Sequence, residues 1–305
     1  MKSLVLLLSL FVCVSSVLGE ARTVRILTIG NSFSRNATNH LDDLVRAGGH
    51  TLIHTPLVIG GASFQVHADK ARKHEANPQD KAGLYGSGLG LKESLAADKW
   101  DYVTIQQASI KSHDFATYQP NAGWLRDYIT RHAPQAKLLV HQTWAYRKDD
   151  PRFTKPSNKP GEPKTQEEMY RGLTAAYNKI AAELNGKVIP VGDAFFTADT
   201  DPKWAYQTDT TFDPKAAKQP ALPNQAHSLH VGWRWAKSKD GKKTTLGMDG
   251  HHANLAGEYL GACVWYETLF DESPVGNTYI PKGLDAEYAR FLQETAHKAV
   301  QARAK

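Results

Sequence analysis

The chain has 305 residues and a formal net charge of +6, and 41% of its residues are hydrophobic. This length is sufficient for one large domain with its own core. The positive excess is mild and is spread along the chain without a dense run of lysine and arginine. It is compatible with an acidic substrate, but it does not indicate a protein that binds nucleic acid, and we expect none as a partner.

The first 19 residues have the pattern of a secretory signal peptide. One basic residue, Lys2, precedes an apolar run over residues 4–14, and small or polar residues follow as far as Gly19. The apolar run is too short to span a bilayer. The pattern predicts cleavage near Gly19 and a secreted or periplasmic protein without stable membrane insertion, with one domain over residues 20–305.

Short apolar segments alternate with segments of helical periodicity along the remaining chain. The predicted strands cover residues 25–29, 51–59, 100–105, 136–140 and 188–191. The predicted helices cover residues 36–47, 64–76, 91–97, 118–132, 165–184, 255–270 and 284–302. This alternation predicts an α/β fold with a five-stranded parallel sheet that helices cover on both faces.

Two long segments lack this periodicity and are predicted as loop insertions in the single domain. Residues 145–164 contain four prolines, which indicates a surface loop. Residues 194–248 are rich in aromatic side chains, and the Asp240-Gly241 pair near their end predicts a short hairpin.

The turn Gly30-Asn31-Ser32 follows the first predicted strand and precedes a helical segment. A serine in this place holds its hydroxyl close to the free amides of a helix N-terminus, which can stabilise an oxyanion. The same residues also fit an ordinary helix cap. Ser32 is therefore a candidate nucleophile whose role depends on the rest of the chain.

A candidate base and a candidate acid lie close together near the C-terminus. Asp249 and His252 are three residues apart, just before the apolar segment 255–270, and we expect them in a tight loop. A serine hydrolase needs a histidine to accept the hydroxyl proton and a carboxylate to orient that histidine. His251 competes with His252 for the role of the base.

Other polar residues follow the predicted strands and should converge on the same edge of the sheet. They are Gly61 after the second strand, Gln106 and Gln107 after the third, and His141 after the fourth. Gly-Asn-Ser early, a glycine after the second strand and Asp-x-x-His near the C-terminus together resemble the SGNH (GDSL-like) hydrolase superfamily. The resemblance covers the whole mature chain as ordered blocks.

The resemblance implies a flavodoxin-like three-layer α/β/α fold and ester hydrolysis without a cofactor. It makes Ser32 the nucleophile, His252 the base and Asp249 the orienting acid, and it selects His252 over His251. The N–H groups of Ser32 and Gly61 would supply two oxyanion donors.

One block departs from the pattern of that superfamily. The Gly-x-Asn-Asp block, whose asparagine is the third oxyanion donor, is absent after the third strand, where the sequence reads Gln106-Gln107. A glutamine amide can donate the same hydrogen bond from a longer side chain. Gln107 is therefore the predicted third donor and Gln106 the reserve, in a divergent branch of the superfamily.

The expected substrate is a small-molecule or polysaccharide ester, most simply an O-acetylated carbohydrate. Polar and aromatic residues predicted to line its site are Gln106, His141, Trp144, Trp233 and Trp235. Two alternatives remain open. One is a carbohydrate-binding protein without catalysis, and the other is a metal-dependent hydrolase that uses a cluster of His227, His230, His251 and His252.

Overall fold

The computed structural model describes residues 20–303, so the predicted signal peptide lies outside the described residues. Five parallel strands form the central sheet, in the order β2-β1-β3-β4-β5. They are β1 Thr23–Gly30, β2 Thr51–Val58, β3 Tyr102–Ile105, β4 Lys137–His141 and β5 Lys187–Ile189. This is the strand order of the flavodoxin-like doubly wound fold, in which ligands bind beyond the carboxyl ends of the strands. The predicted fold class is confirmed.

The helices pack in two groups that cover the sheet as outer layers. The first group contains α1 Ser32–Thr38, α2 Leu41–Ala47, α8 Val191–Asp199, α9 Leu255–Phe270 and α10 Ala286–Gln301. The second contains α3 Phe64–Ala76, α4 Leu91–Ala96, α5 Asn121–His132 and α7 Gln166–Leu184. A single helical turn, α6 Pro151–Thr154, lies within the predicted insertion 145–164.

The central strands are buried because both faces of the sheet are covered. Ile26, Leu27 and Ile29 of β1 have almost no exposed surface, and Val103 and Ile105 of β3 have none. Near-continuous apolar strands are what a parallel sheet between two helical layers requires. The sheet therefore gives a rigid support to the turns at its carboxyl edge.

An antiparallel hairpin of two strands, β6 His230–Lys237 and β7 Thr244–Ala253, forms a second, separate sheet. The predicted Asp240-Gly241 turn joins the two strands. Asp249 and His252 lie on β7, so the expected loop for these residues is wrong. Strand pairing with β6 holds their backbone, with Asp249 opposite Gly232.

Two further elements differ from the sequence-based expectation. The predicted helix over residues 36–47 is divided into α1 and α2, and Asn39 caps the end of α1. The helix α8 begins in front of the segment 194–248 and continues into it, where no helix was predicted. Within residues 20–303, none of the helices combines the length and the apolar character that crossing a bilayer requires.

Candidate active site

The turn after β1 positions Ser32 as the first residue of α1. Asn31 is the N-cap, and its side-chain oxygen accepts a hydrogen bond from the Phe33 N–H at 2.9 Å. A Cβ atom at Gly30 would collide with Oγ of Ser34 and lie 2.7 Å from Oε1 of Gln106, so a larger residue there would displace both side chains. The predicted cap and the predicted nucleophile are thus adjacent residues of one turn, with Asn31 as the cap and Ser32 free to act.

Ser32, His252 and Asp249 form a hydrogen-bonded series. Nε2 of His252 lies 2.9 Å from Oγ of Ser32. Nδ1 of the same ring lies 3.2 and 3.1 Å from the two carboxylate oxygens of Asp249. The His252 backbone N–H also donates to Asp249, at 3.1 Å. The fold therefore brings together three side chains that are up to 220 residues apart in the sequence.

The electrostatics of Asp249 determine which nitrogen of His252 carries the proton. Partial burial raises the pKa of the Asp249 carboxyl, but the hydrogen bonds from His252 and the charges of His251 and His252 outweigh burial and hold this pKa well below its usual range. The ionised carboxylate can only accept hydrogen bonds. Nδ1 of His252 is therefore the protonated nitrogen, and Nε2 presents a lone pair to the Ser32 hydroxyl.

His251 is a second histidine beside Asp249, but it is not the one that contacts Ser32. Its Nδ1 lies 3.3 Å from the Asp249 carboxylate, and its ring centre is 4.2 Å from that of His252. Burial lowers the pKa of His251, the Asp249 charge raises it, and the charge of His252 lowers it. The choice of His252 over His251 therefore agrees with the geometry.

Trp144 is a core residue that contacts both Phe33, the neighbour of Ser32, and the strand that carries His252. It is fully buried, its ring centre is 4.4 Å from that of Phe33, and its Nε1–H donates to the His251 carbonyl at 2.9 Å. The prediction that Trp144 lines the substrate site is wrong, because the ring is packed in the core. Its contacts instead join the nucleophile turn to the strand that carries His252.

A buried polar network connects the turns at the carboxyl edge of the sheet. Nδ2 of Asn31 donates to the Ala62 carbonyl at 2.9 Å, and Nε2 of Gln106 donates to Oδ1 of Asn31 at 2.8 Å. Nδ1 of His141 lies 3.2 Å from Oε1 of Gln106. Burial lowers the pKa of His141 to about 3, so the ring is neutral and donates to this oxygen. Asn31 was not predicted to have a role beyond the turn.

Gln106 and His141 are therefore not substrate-binding residues in this structure. Both side chains are buried and are used for contacts within the network. Sequence reasoning placed them correctly at the strand ends, but residue type alone does not tell which way a side chain points. Through Asn31, the network fixes the position of the nucleophile turn relative to the turn that contains Gly61.

The structure also gives Gln107 other partners. Its Nε2 donates to the carbonyl and the hydroxyl of Thr117 at 2.9 and 3.1 Å, and its Oε1 accepts from Ala108 N–H at 2.9 Å. The side chain is fully buried. Both amide hydrogens are engaged away from Ser32, which contradicts the expected oxyanion donor at Gln107.

Two backbone N–H groups near the nucleophile remain free to donate. Ser32 opens α1, and the N–H of the first helical residue has no partner inside its own helix. Gly61 is exposed in the turn after β2 with φ of 67°, a conformation that favours glycine. Among residues 20–303, neither N–H has a hydrogen-bond acceptor. Both N–H groups are therefore available to a bound ligand.

The four histidines considered for a metal site do not form one cluster. His227 packs against Trp204 and Tyr288, and His230 is fully buried with Nε2 3.1 Å from the Ala145 carbonyl. The alternative based on all four histidines is therefore wrong.

A smaller set of possible metal-ligating groups remains at the triad itself. Asp249, His251 and His252 offer ligand atoms within 4.8 Å of one another. Two of these three residues form the series with Ser32. A chelator control in the activity assay therefore separates the two chemistries.

Trp233 and Trp235 are partly exposed on the hairpin, but they point away from Asp249. They pair with Met248 and Leu246 across the strands, whereas Asp249 pairs with Gly232. Alternation along a strand places them on the opposite face. Nε1 of Trp235 donates to the Ala221 carbonyl at 2.9 Å, so this ring holds the preceding loop. The prediction that they line the site is not supported.

Similar proteins place the chain in a family. A family model described as a domain of unknown function (DUF4886) matches residues 25–209. A solved structure of a DUF4886 family protein from Bacteroides uniformis is 28% identical with a TM-score of 0.69, covering 93% of this chain and 96% of that one. None of the curated proteins matches.

Two other solved structures are also similar to this chain. One, from Slackia heliotrinireducens, is called a "putative SGNH hydrolase"; it is 20% identical with a TM-score of 0.49, covering 81% of this chain and 98% of that one. The other is a carbohydrate acetylesterase from Sinorhizobium meliloti, 17% identical with a TM-score of 0.34, covering 56% and 85%. Because the family model spans more than half of the sequence, this chain belongs to the DUF4886 family.

Proposed function

We propose that this protein is a serine ester hydrolase that removes short acyl groups, most simply acetyl, from carbohydrate. The observation that carries the proposal is the series Ser32–His252–Asp249, with 2.9 Å between Oγ and Nε2 and 3.1 Å between Nδ1 and the carboxylate. A nucleophile, a base and an orienting acid within hydrogen-bond reach are what acyl transfer to serine requires.

The first half of the reaction forms an acyl-enzyme. The Ser32 hydroxyl attacks the ester carbonyl while Nε2 of His252 accepts its proton, and Asp249 stabilises the imidazolium that results. Negative charge develops on the carbonyl oxygen, to which the N–H groups of Ser32 and Gly61 donate. The same imidazolium then protonates the leaving alcohol as the tetrahedral intermediate collapses.

The second half of the reaction releases the acid. A water molecule gives a proton to Nε2 of His252 and attacks the acyl-enzyme, and the imidazolium returns the proton to Oγ of Ser32. His252 thus acts as base and then as acid in each half. The ring remains partly exposed, with a side-chain exposure of 33%, so water can reach it.

The place of the site supports a bound ligand at Ser32. Ser32 is partly exposed at the carboxyl edge of a doubly wound sheet, where such folds bind their ligands. A secreted or periplasmic location, which the sequence pattern of residues 1–19 favours, is part of the proposal. The names of several similar structures agree with acyl-ester chemistry.

We expect Ser32→Ala to abolish the release of acetate from p-nitrophenyl acetate while the fold is retained. Loss of a triad nucleophile typically lowers the rate by about a millionfold. Ser273→Ala is a matched control, since Ser273 is exposed beyond the C-terminal end of α9, at the end away from His252. Hydrolysis at the wild-type rate by purified, folded Ser32→Ala would contradict the proposal.

Three further measurements separate the alternatives. His252→Ala should lose as much activity as Ser32→Ala, and His251→Ala should lose less, because of these two histidines only His252 contacts Oγ of Ser32.

A fluorophosphonate should label the wild type and Ser273→Ala but not Ser32→Ala. A binding protein without an activated serine would not be labelled. Activity that disappears with a chelator and returns with a metal ion would favour the metal-dependent alternative.

A further inference from the structure

The turn of the β6–β7 hairpin is strongly cationic. Four exposed lysines lie within residues 237–243, at positions Lys237, Lys239, Lys242 and Lys243. The same seven residues contain one acid, Asp240, whose carboxylate accepts from the Lys242 N–H at 3.1 Å and bonds the Ser238 hydroxyl. The positive charge of this turn is therefore largely uncompensated by its own residues.

A fifth cation on the same hairpin lies beside the triad. Arg234 has a side-chain exposure of 57%, and its Nη2 is 3.8 Å from the Asp249 carboxylate. This separation is longer than a hydrogen bond, and the Asp249 oxygens are already occupied by His252. The Arg234 guanidinium therefore keeps its donors available at the Asp249 end of the series.

The face of the hairpin between Arg234 and the lysine-rich turn carries small side chains. Arg234 pairs with Gly247, and Ala236 pairs with Thr245. Cross-strand partners share a face, and residues two apart along a strand do so too. Asp249 is therefore on this face as well. We call this surface, made of Arg234, Ala236, Thr245, Gly247 and Asp249, the outer hairpin face.

The outer hairpin face has the length of several sugar units. Thr244, which adjoins the lysine-rich turn, precedes Asp249 by five residue steps along β7, which corresponds to about 17 Å. One end is beside the proposed nucleophile and the other end is a cluster of lysines. Small side chains lie between the ends, so nothing large separates them.

We propose that the outer hairpin face binds an acidic polysaccharide and directs an ester on that chain to Ser32. Arg234 contacts the carboxylate or sulfate of the sugar at the scissile ester, and the lysines contact anionic groups on units farther along. This inference rests on the proposed function and names the substrate class for the same site.

The residue types fit these two tasks. A guanidinium binds a carboxylate or a sulfate with paired hydrogen bonds, which suits a fixed position next to the reacting atoms. Lysines are flexible point charges, which suits a chain that slides past. A flat anionic membrane would meet the lysine turn alone, whereas cations that continue along the strand to the triad fit a linear polyanion.

Binding can be measured apart from catalysis, with the Ser32→Ala protein and polygalacturonate that carries no ester. Replacing Lys237, Lys239, Lys242 and Lys243 by serine should weaken binding at low ionic strength by at least about tenfold, and added salt should reduce the difference. The matched control replaces four exposed lysines before or at the start of β3, β4 and β5, namely Lys92, Lys99, Lys137 and Lys187. It has the same change of charge and should bind like its parent.

A second variant tests the path between the two ends. A Cβ atom at Gly247 meets no atom within 4 Å, so Gly247→Glu adds a carboxylate to the outer hairpin face without a clash. It should weaken polygalacturonate binding, as should Arg234→Gln. Gly86→Glu is the matched control, because Gly86 is exposed and equally open.

Each outcome supports or overturns the inference. Equal losses of polygalacturonate binding in the hairpin variants and their controls would show that the overall charge of the protein attracts the polymer. No loss in any variant would show that the outer hairpin face does not bind it. Either result would overturn the inference. Equal binding of a neutral glucomannan, lost in the same variants, would overturn the acidic class. If the protein bound phosphatidylglycerol vesicles but not polygalacturonate, and the hairpin variants lost this binding, the surface would be assigned to lipid and the inference overturned. Failure of ester hydrolysis with intact polygalacturonate binding would contradict only the proposed function.

Discussion

At the scale of single residues, Gln106 and Gln107 are neighbours in the buried turn after β3 and have different hydrogen-bond partners. Ser32, Asp249 and His252 were identified from residue type and order, and the structure brings them within hydrogen-bond distance. Gln107 was assigned to the oxyanion because an amide was needed after the third strand. The N–H groups of its side chain donate to Thr117 instead. The turn after β3 is buried, so its polar groups need hydrogen-bond partners within the protein.

The two glutamines should therefore respond differently to substitution. Gln107→Leu should lower the free energy of unfolding by roughly 2–4 kcal/mol, because its buried partners are left unsatisfied, with a small effect on kcat. Gln106→Leu should cause a similar loss of stability, because Asn31 and His141 are left unsatisfied, and it should also lower kcat, because Asn31 loses the bond at 2.8 Å that helps to orient it. Denaturant unfolding and ester hydrolysis measure the two effects.

A loss of a hundredfold or more in kcat for Gln107→Leu at unchanged stability would contradict this assignment, because removal of an oxyanion donor typically costs about a hundred- to a thousandfold. Such a result would mean that the Gln107 amide turns toward Ser32 during the reaction.

At the scale of elements, the limits of two predicted helices are confirmed. The helices predicted over residues 64–76 and 255–270 are α3 and α9 with the same ends. The helix α8 was missed because its formation depends on tertiary contacts rather than on local pattern. It starts after Pro190 and contains Gly192, where a Cβ would collide with the Thr143 carbonyl, and Asp193 bonds the Gln142 amide.

The connection between the nucleophile turn and β7 should be visible in the rate. Trp144→Phe keeps most of the ring but removes the Nε1–H donor to the His251 carbonyl. We expect kcat to fall on the order of tenfold, because a small displacement of the base disturbs the attack geometry. KM should change little, since Trp144 is buried away from substrate.

Trp265→Phe is the matched control for the loss of indole volume. Trp265 is also fully buried, but its Nε1 has no hydrogen-bond partner among residues 20–303. Both variants should lose stability by about 1–3 kcal/mol. Equal losses of kcat in the two variants would show that packing, rather than the bond to His251, is responsible.

At the scale of the whole molecule, the series Ser32–His252–Asp249 is assembled from two separate parts of the fold. Ser32 follows the parallel sheet, while Asp249 and His252 lie on the hairpin. Arg147, which is 1% exposed, joins the hairpin to the segment after β4. Its backbone N–H donates to the Gly250 carbonyl at 2.7 Å, and its guanidinium binds Asp149 and the Ser228 hydroxyl. From the sequence Arg147 could be predicted only as part of a loop, because its partners Ser228 and Gly250 are distant along the chain.

We expect Arg147→Met to destabilise the protein by about 3–5 kcal/mol, because the Asp149 side chain, which is only 12% exposed, loses its cationic partner. Hydrogen exchange should increase most in β6 and β7, and kcat should fall with it. Arg171→Met is the control: its exposed pair with Glu167 on α7 is worth about 0.5 kcal/mol or less. Faster exchange throughout the parallel sheet, with no preference for the hairpin, would contradict the proposed role of Arg147.

Ser32 follows the parallel sheet, whereas His252 and Asp249 lie on the hairpin. This arrangement has a consequence for how the protein responds to heat. The distance between Oγ of Ser32 and Nε2 of His252 depends on how the two-stranded hairpin packs against the rest of the protein. A hairpin of two strands has little stability of its own. Inactivation can then begin as a local, reversible detachment, while the five-stranded sheet stays intact. Turnover of a chromogenic ester during a slow temperature ramp would decline before the circular dichroism signal does and would recover on cooling.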